Sequence, residues 1–111
     1  MATLSAQTVD RTGLNPSYAS AASGGDQFAW SERRFIHVKN GDATSVTVTV
    51  VSQYSSNPQG LASTDLTVTV PGNEERFIGP FSETAFADAD GNVQLTYDDV
   101  SSVTLGVFTQ R

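Results

Sequence analysis

Alternation of β-branched residues with a period of two constrains the fold of this chain more than any other feature. Residues 45–53 (SVTVTVVSQ) place valine at every second position with threonine between, and residues 65–70 (DLTVTV) repeat the arrangement. Successive side chains of a strand point to opposite faces, so each segment has one apolar face and one face rich in hydroxyl groups. The pattern predicts antiparallel strands that bury only one face.

Four more segments alternate in the same way, at residues 33–39, 75–81, 92–97 and 102–109, and turn-forming Gly, Pro, Asn and Asp residues occur in the connections. Six such strands, with one or two before residue 32, would leave an apolar face uncovered in a single sheet. Two sheets must therefore pack together. We predict an all-β fold: a single-domain antiparallel β-sandwich, jelly-roll-like or immunoglobulin-like, with an extended N-terminal arm.

The inward positions of these strands give the expected core. In residues 33–39, Phe35 and His37 compete with Ile36 and Val38 for the inward face, and we expect Ile36 and Val38 to be buried. This leaves Phe35 as an exposed or interface aromatic side chain. The other expected core residues are Val46, Val48, Val50, Leu66, Val68, Val70, Leu95, Val103, Leu105 and Val107.

The N-terminal segment differs from the rest of the chain in its residue pattern. We therefore divide the chain into an extended arm or long loop at residues 1–27 and a β-sandwich domain at residues 28–111. The arm has few large apolar residues, and ordering each residue costs about 1–2 kcal/mol of backbone entropy. We therefore predict that it is mobile in an isolated monomer and ordered in an assembly. Leu4 and Val9 would form an added strand, and Leu14 and Tyr18 would anchor it on a neighbouring subunit. Trp30 is a further candidate contact.

Composition limits the partners. Six Lys and Arg against twelve Asp and Glu give a formal charge of 6 − 12 = −6, with Lys39 as the sole lysine. Such a chain has no basic stripe for a nucleic acid or an anionic membrane surface. It contains no cysteine, which excludes disulfides, thiolate catalysis and Cys-ligated metals. Neither a membrane span nor a secretory signal is expected from the sequence.

His37 is the single histidine. A Ser–His–Asp triad would need it as the base, and no nucleophile elbow accompanies it. Zinc needs three or four ligands, and one histidine supplies only one of them. We expect a solvated or interface histidine, and we assign no catalytic residue, no metal ligand and no cofactor.

The segment DADGN resembles the first half of a calcium loop, with Asp88, Asp90 and Asn92 as oxygen ligands and Asp98 or Asp99 as the closing carboxylate. The bidentate glutamate of a complete loop is missing, and Asp-Gly between strands is a turn signal. We therefore expect a turn without tightly bound metal.

Aromatic residues near the predicted loops could form a carbohydrate-stacking platform. We expect instead that, of Phe28 and Trp30, one packs on the sandwich and the other covers an edge. The platform would consist of Tyr18, Phe28, Trp30 and Tyr54.

The segments RFIHVKNGDATSVTVTV, LTVTVPGNEERFIGPF and DADGNVQLTYDDVSSVTLGVF, and the start MATLSAQTVDRTGLNPSY, resemble a group of small, cysteine-free proteins of tailed phages. Such proteins are encoded near the capsid genes and are regarded as head decoration (cement) or auxiliary virion proteins. The resemblance covers nearly the whole chain through strand and turn motifs. It implies an all-β fold, no enzymatic activity and a place in the particle shell.

From this resemblance we expect a structural virion protein that is assembled in the host cytoplasm and binds the outside of the phage head. Its partners would be the major capsid protein and further copies of itself. The alternatives are a head–tail joining or tail-associated protein, or a β-sandwich module that binds carbohydrate or calcium. Partner contacts are expected at Leu4, Val9, Leu14, Tyr18 and Trp30.

Overall fold

A computed structural model describes residues 2–53 and 65–110 of the chain. This part forms ten strands and one single-turn helix. In chain order they are β1 (Ala2–Thr3), β2 (Ala6–Val9), β3 (Ala19–Ser20), β4 (Asp26–Ala29), β5 (Arg34–Asn40), β6 (Val46–Val50), β7 (Leu66–Val70), β8 (Glu75–Ile78), α1 (Glu83–Phe86), β9 (Asn92–Tyr97) and β10 (Val103–Gln110).

The strands form two sheets of five strands. The first sheet has the order β1-β4-β9-β6-β7. The second has the order β2-β10-β5-β8, and β3 also pairs with β10. The predicted all-β sandwich is confirmed. Its central pairings are antiparallel, but β1 on β4 and β2 on β10 are parallel. Parallel neighbours need a long connection: residues 4–25 connect β1 to β4, and residues 10–102 connect β2 to β10.

The core lies between the sheets and consists of the alternating inward residues. Ile36 and Val38 are fully buried, as predicted, and so are eight of the ten other expected core residues. Val68 is only half-buried, and Leu66 was wrongly predicted to be buried, since 37% of it is exposed. Both lie on β7, which ends the first sheet, and no further described strand pairs with its outer edge.

The arm follows the edges of the sandwich. β1 and β3 are fully exposed, and β2 is nearly so. Every residue of the buried hydrophobic core lies at Ala21 or later. β4 runs across the predicted boundary at residue 27, and Asp26 is buried. Residues 2–20 therefore contribute to sheet pairing and not to the buried core of the described chain.

No helix in the described residues is long and apolar enough to cross a membrane. The predicted turn at residues 55–60 and the aromatic residue Tyr54 lie outside the described residues.

Candidate interaction surface

The outer face of the second sheet is aromatic where a sandwich usually presents polar side chains. Phe35 on β5 is paired in register with Phe108 on β10, and their ring centroids are 5.9 Å apart. Phe77 on the edge strand β8 lies 5.9 Å from Phe35 and stacks on His37 at 4.1 Å with an interplanar angle of 14°. Phe77 is 69% exposed. These four residues define what we call the aromatic patch.

The arm covers part of this patch through Tyr18. Its ring contacts His37 edge-on at 5.4 Å and Phe108 at 5.8 Å. Lys39 Nζ lies 4.1 Å from the centre of the Tyr18 ring, which is cation–π geometry. Gly106 permits the approach, because a Cβ atom there would lie 3.0 Å from the carbonyl oxygen of Ser17 and 2.9 Å from the Phe108 ring.

His37 is buried, contrary to the prediction of a solvated or interface histidine, because the arm and β8 close over its ring. Its Nδ1 lies 2.7 Å from the Tyr18 hydroxyl, and its Nε2 lies 2.9 Å from Glu75 Oε1. Burial raises the pKa of Tyr18, and the nearby Glu75 carboxylate raises it further. The Tyr18 hydroxyl therefore stays protonated near neutral pH, and the His37 ring joins it to the Glu75 carboxylate through hydrogen bonds at both ring nitrogens.

This network joins the arm to the second sheet through Tyr18, His37 and Glu75. The raised pKa of Tyr18 disfavours ionisation of its hydroxyl. Both ring nitrogens of His37 are engaged by Tyr18 and Glu75, so none is left for a serine. The chemistry that this network supports is the positioning of the arm on the sheet.

Three of the five residues predicted to bind a partner converge on one groove. Val9, Leu14 and Tyr18 line a groove of about 270 Å³ whose floor is the aromatic patch. A wider depression of about 590 Å³, lined by Val9, Asp10, Arg11, Thr12 and Gln110, opens beside it. The arm and the second sheet thus form one continuous surface with apolar and polar parts.

The other two predicted contacts lie elsewhere. Leu4 is half-buried and packs against the core from the start of the arm. Trp30 is also half-buried against the core, and its indole N–H donates a 2.8 Å hydrogen bond to the carbonyl oxygen of Phe81. Phe28 is fully buried, which confirms that one of the pair packs inside the sandwich, whereas the predicted covering of an edge by the other stays a prediction. A flat sugar platform of the four aromatic residues is excluded by the burial of Phe28.

The DADGN segment forms a turn in which the carboxylate of Asp88 accepts hydrogen bonds from groups of the same chain. Asp88 Oδ1 accepts hydrogen bonds from the backbone N–H groups of Asp90 and Asn92, each at 2.9 Å, and Oδ2 accepts from Gln94 Nε2 at 2.7 Å. The bond from the Asn92 N–H, followed by that from Gln94, holds the pKa of Asp88 below its usual value.

The two carboxylates proposed to close a calcium loop accept hydrogen bonds from other backbone N–H groups. Asp98 accepts from the backbone N–H of Thr47 at 2.8 Å, and Asp99 accepts from that of Ser101 at 3.0 Å. Among the described residues, no group of three or more His, Cys, Asp or Glu side chains is placed to hold a metal ion. Asp98 and Asp99 therefore bond to residues outside the DADGN turn, which holds Asp88, Asp90 and Asn92.

Sequence reasoning missed Phe77, Phe108 and Glu75 as members of this surface. The alternation within residues 75–78 (ERFI) already places Glu75 and Phe77 on one face, opposite the buried Ile78. Aligning that face with Phe35 and His37 would have indicated the patch. The register between β5 and β8, which pairs His37 with Phe77, is not readable from either strand alone.

Comparison with known proteins gives no further identification, since no family model, curated protein or solved structure matches this chain.

Proposed function

We propose that this chain is a non-enzymatic structural protein of a phage particle, and that it decorates and stabilises the outside of the head. The proposal starts from the resemblance of its strand and turn segments to small virion proteins of tailed phages. In this role its partner is the major capsid protein, several copies act together, and the protein is located on the capsid surface.

The observation that carries the proposal is the position of the arm. Residues 2–20 add nothing to the buried hydrophobic core, yet they follow the edges of both sheets and frame the groove above the aromatic patch. A segment that a domain does not need for its own core is available for contacts with a neighbouring subunit. Such contacts gain strength when many copies are clamped on one shell.

The charge distribution supports an outward-facing role. A net charge of −6 keeps decorated particles apart and is a poor match for packaged DNA. Of the six basic residues, Lys39 lies beside the aromatic patch, where it contacts Tyr18, and the carboxylate of Glu75 bonds to His37 within the patch.

Fractionation of the particle tests the proposal. Heads and tails separated on a density gradient are digested, and peptides of this chain are quantified by mass spectrometry against the major capsid protein. The proposal predicts a fixed ratio in the head fraction and loss of the chain by protease treatment of intact heads. Recovery only with tails would favour the tail-associated alternative and contradict decoration of the head.

A further inference from the structure

Strand β7 carries inward-facing apolar side chains that its own domain leaves uncovered. Its sequence, LTVTV, nearly repeats that of β6, VTVTV, and the two strands pair in register from Val46–Val70 to Val50–Leu66. All three valines of the inner row of β6 are buried. On β7, Leu66 is 37% exposed and Val68 is half-buried. The difference arises from the edge position of β7, not from its sequence.

Among the described residues no strand pairs with the outer edge of β7, and this edge lacks the devices that usually block strand addition. Edge strands are commonly protected by charged residues or by proline. The edge strand of the other sheet, β8, has Glu75 and Arg76, whereas the five residues of β7 include neither a charge nor a proline. In a chain with a net charge of −6, an uncharged strand of this kind is a place where two copies can approach closely.

The main-chain groups of β7 that do not bond to β6 belong to its two threonines. Two backbone hydrogen bonds show which residues on and just after β6 face β9. The Asp98 N–H donates to the carbonyl oxygen of Thr47 at 3.2 Å, and the Val51 N–H donates to the carbonyl oxygen of Gln94 at 2.9 Å. The main-chain groups of the odd-numbered residues therefore bond to β9. The even-numbered residues of β6 therefore bond to β7, at Leu66, Val68 and Val70. Because these directions alternate along a strand, the N–H and C=O groups of Thr67 and Thr69 lie in the plane of the sheet and point away from β6.

We propose that two copies of this chain pair β7 against β7 in antiparallel orientation, with the two-fold axis at Val68. Thr67 of each copy then lies opposite Thr69 of the other. These are the residues whose main-chain groups point outward, so the two pairs exchange four hydrogen bonds. The result is a continuous ten-stranded sheet.

Side chains on both faces suit this pairing. On the inner face, Val68 meets Val68 and the exposed Leu66 meets Val70 of the second copy, which buries the side chains that the monomer leaves uncovered. On the outer face, threonine lies beside threonine, a favourable cross-strand pair. Asp65 lies opposite Pro71 of the other copy, so the two Asp65 residues are about 20 Å apart, well beyond the screening length at physiological salt of about 8 Å.

The partner that pairs with the edge of β7 is a second copy of the chain, because the strand is complementary to itself. LTVTV reads almost identically in both directions about Val68, and an isologous contact uses one patch twice. The inference deepens the proposed function by naming the surface between copies, and it rests on that function for the expectation that several copies act together. Its test uses the purified chain without any particle, so its failure leaves binding to the head as a separate question.

Single cysteines test the register directly, because the natural chain contains none. At the axis, Val68 and its symmetry mate form a pair without mutual hydrogen bonds, with Cα atoms about 4.5 Å apart, which suits a disulfide. Val68→Cys, incubated with oxidised glutathione, is expected to give a covalent dimer on non-reducing gels. Leu66→Cys is the matched control on the same face of the same strand, since its two copies would be separated by about 13 Å.

Non-covalent association is measured by sedimentation velocity of the full chain from micromolar to near-millimolar concentration. The unaltered chain is expected to dimerise. Thr69→Pro removes two of the four inter-copy N–H donors without touching a bond to β6, and it should weaken dimerisation by about tenfold or more. Thr96→Lys, an exposed change on the same sheet face away from the edge, should leave dimerisation unchanged, and circular dichroism verifies that each variant is folded.

Three results would overturn the proposal. The first is a chain that stays monomeric over the whole range. The second is a dimer that Thr69→Pro leaves intact, because association would then use another surface. The third is cross-linking of Leu66→Cys as fast as that of Val68→Cys, because the register about Val68 would then be wrong.

Discussion

The Tyr18 hydroxyl and Nδ1 of His37 form a 2.7 Å hydrogen bond, and this bond joins the arm to the central region of the second sheet. The two residues are 19 positions apart in the chain. His37 is held in place by Glu75 on its other nitrogen and by the ring of Phe77 on its face. The orientation of one buried imidazole therefore adds a side-chain attachment of the arm to its strand pairing with the sheets.

Replacing Tyr18 with Phe should loosen the arm. The change keeps the ring but leaves the buried Nδ1 of His37 without its hydrogen-bond partner, which costs about 1–3 kcal/mol. We expect faster amide hydrogen exchange in residues 6–20 with little change in the exchange of β6 and β9. Tyr97→Phe is the matched control, because it removes a hydroxyl that bonds to Asp26 on β4, outside residues 6–20. Equal exchange in both variants would show that the Tyr18 bond does not hold the arm.

Two alanine substitutions should separate the centre of the sandwich from its edge. Val48→Ala removes a fully buried side chain between the sheets and should lower the free energy of unfolding by about 2–4 kcal/mol. Leu66→Ala removes a side chain at an open edge, and the cost should be about 1 kcal/mol or less. Urea denaturation at low protein concentration measures both. A larger loss for Leu66→Ala than for Val48→Ala would contradict the assignment of β7 as an edge strand.

Alkaline pH should destabilise the fold through Tyr97. Burial, followed by the hydrogen bond to Asp26, raises the pKa of this phenol above its ordinary value. A group with a raised pKa in the folded state contributes stability that is complete below its unfolded pKa and is lost as the pH rises toward the folded value. We therefore expect the free energy of unfolding to fall above about pH 10. Tyr97→Phe should make this fall shallower, and an unchanged slope would show that Tyr97 is not the group responsible.

Acid should destabilise the DADGN turn through Asp88. Its pKa is lowered in the folded state, first by the backbone N–H of Asn92 and then by the side chain of Gln94. The resulting stability is present above the unfolded pKa and is lost as the pH falls through the lower folded value. Asp88→Ala should weaken the acid dependence of unfolding. Calcium should not shift the melting temperature of the unaltered chain, and one stoichiometric calcium by elemental analysis would contradict the internal role of this carboxylate.

The strands were predictable wherever alternation is regular, because the side-chain period is set by the backbone of a strand. The segment at residues 92–97 was predicted with both ends correct, and Ile36 and Val38 were placed inward correctly. The burial of Leu66 was predicted wrongly. Alternation shows to which face of the sheet a side chain points, but it does not show whether another strand covers that side chain. The burial of His37 depends on Tyr18 and Glu75, which are distant in sequence and meet only through the register of three elements.

The structure of the arm was also only partly predictable from its sequence. Its low apolar content predicted that residues 1–27 build no part of the core; the structure places Ala21 in the core and Leu4 against it, and the parallel pairing of β2 with β10 could not be read from its composition. Its predicted mobility in the isolated monomer remains a prediction that hydrogen exchange can decide.

Binding of the purified chain to heads that lack it tests the central claim most directly. Full-length protein and a variant without residues 2–20 are mixed with such heads, and occupancy is measured by co-sedimentation. The deletion keeps every residue of the buried hydrophobic core, so strand content by circular dichroism should be near normal. We predict saturable binding of the full chain and weaker binding of the folded, arm-deleted variant. Failure of the full chain to bind heads, or equal occupancy by both proteins, would contradict a decoration protein that attaches through its arm.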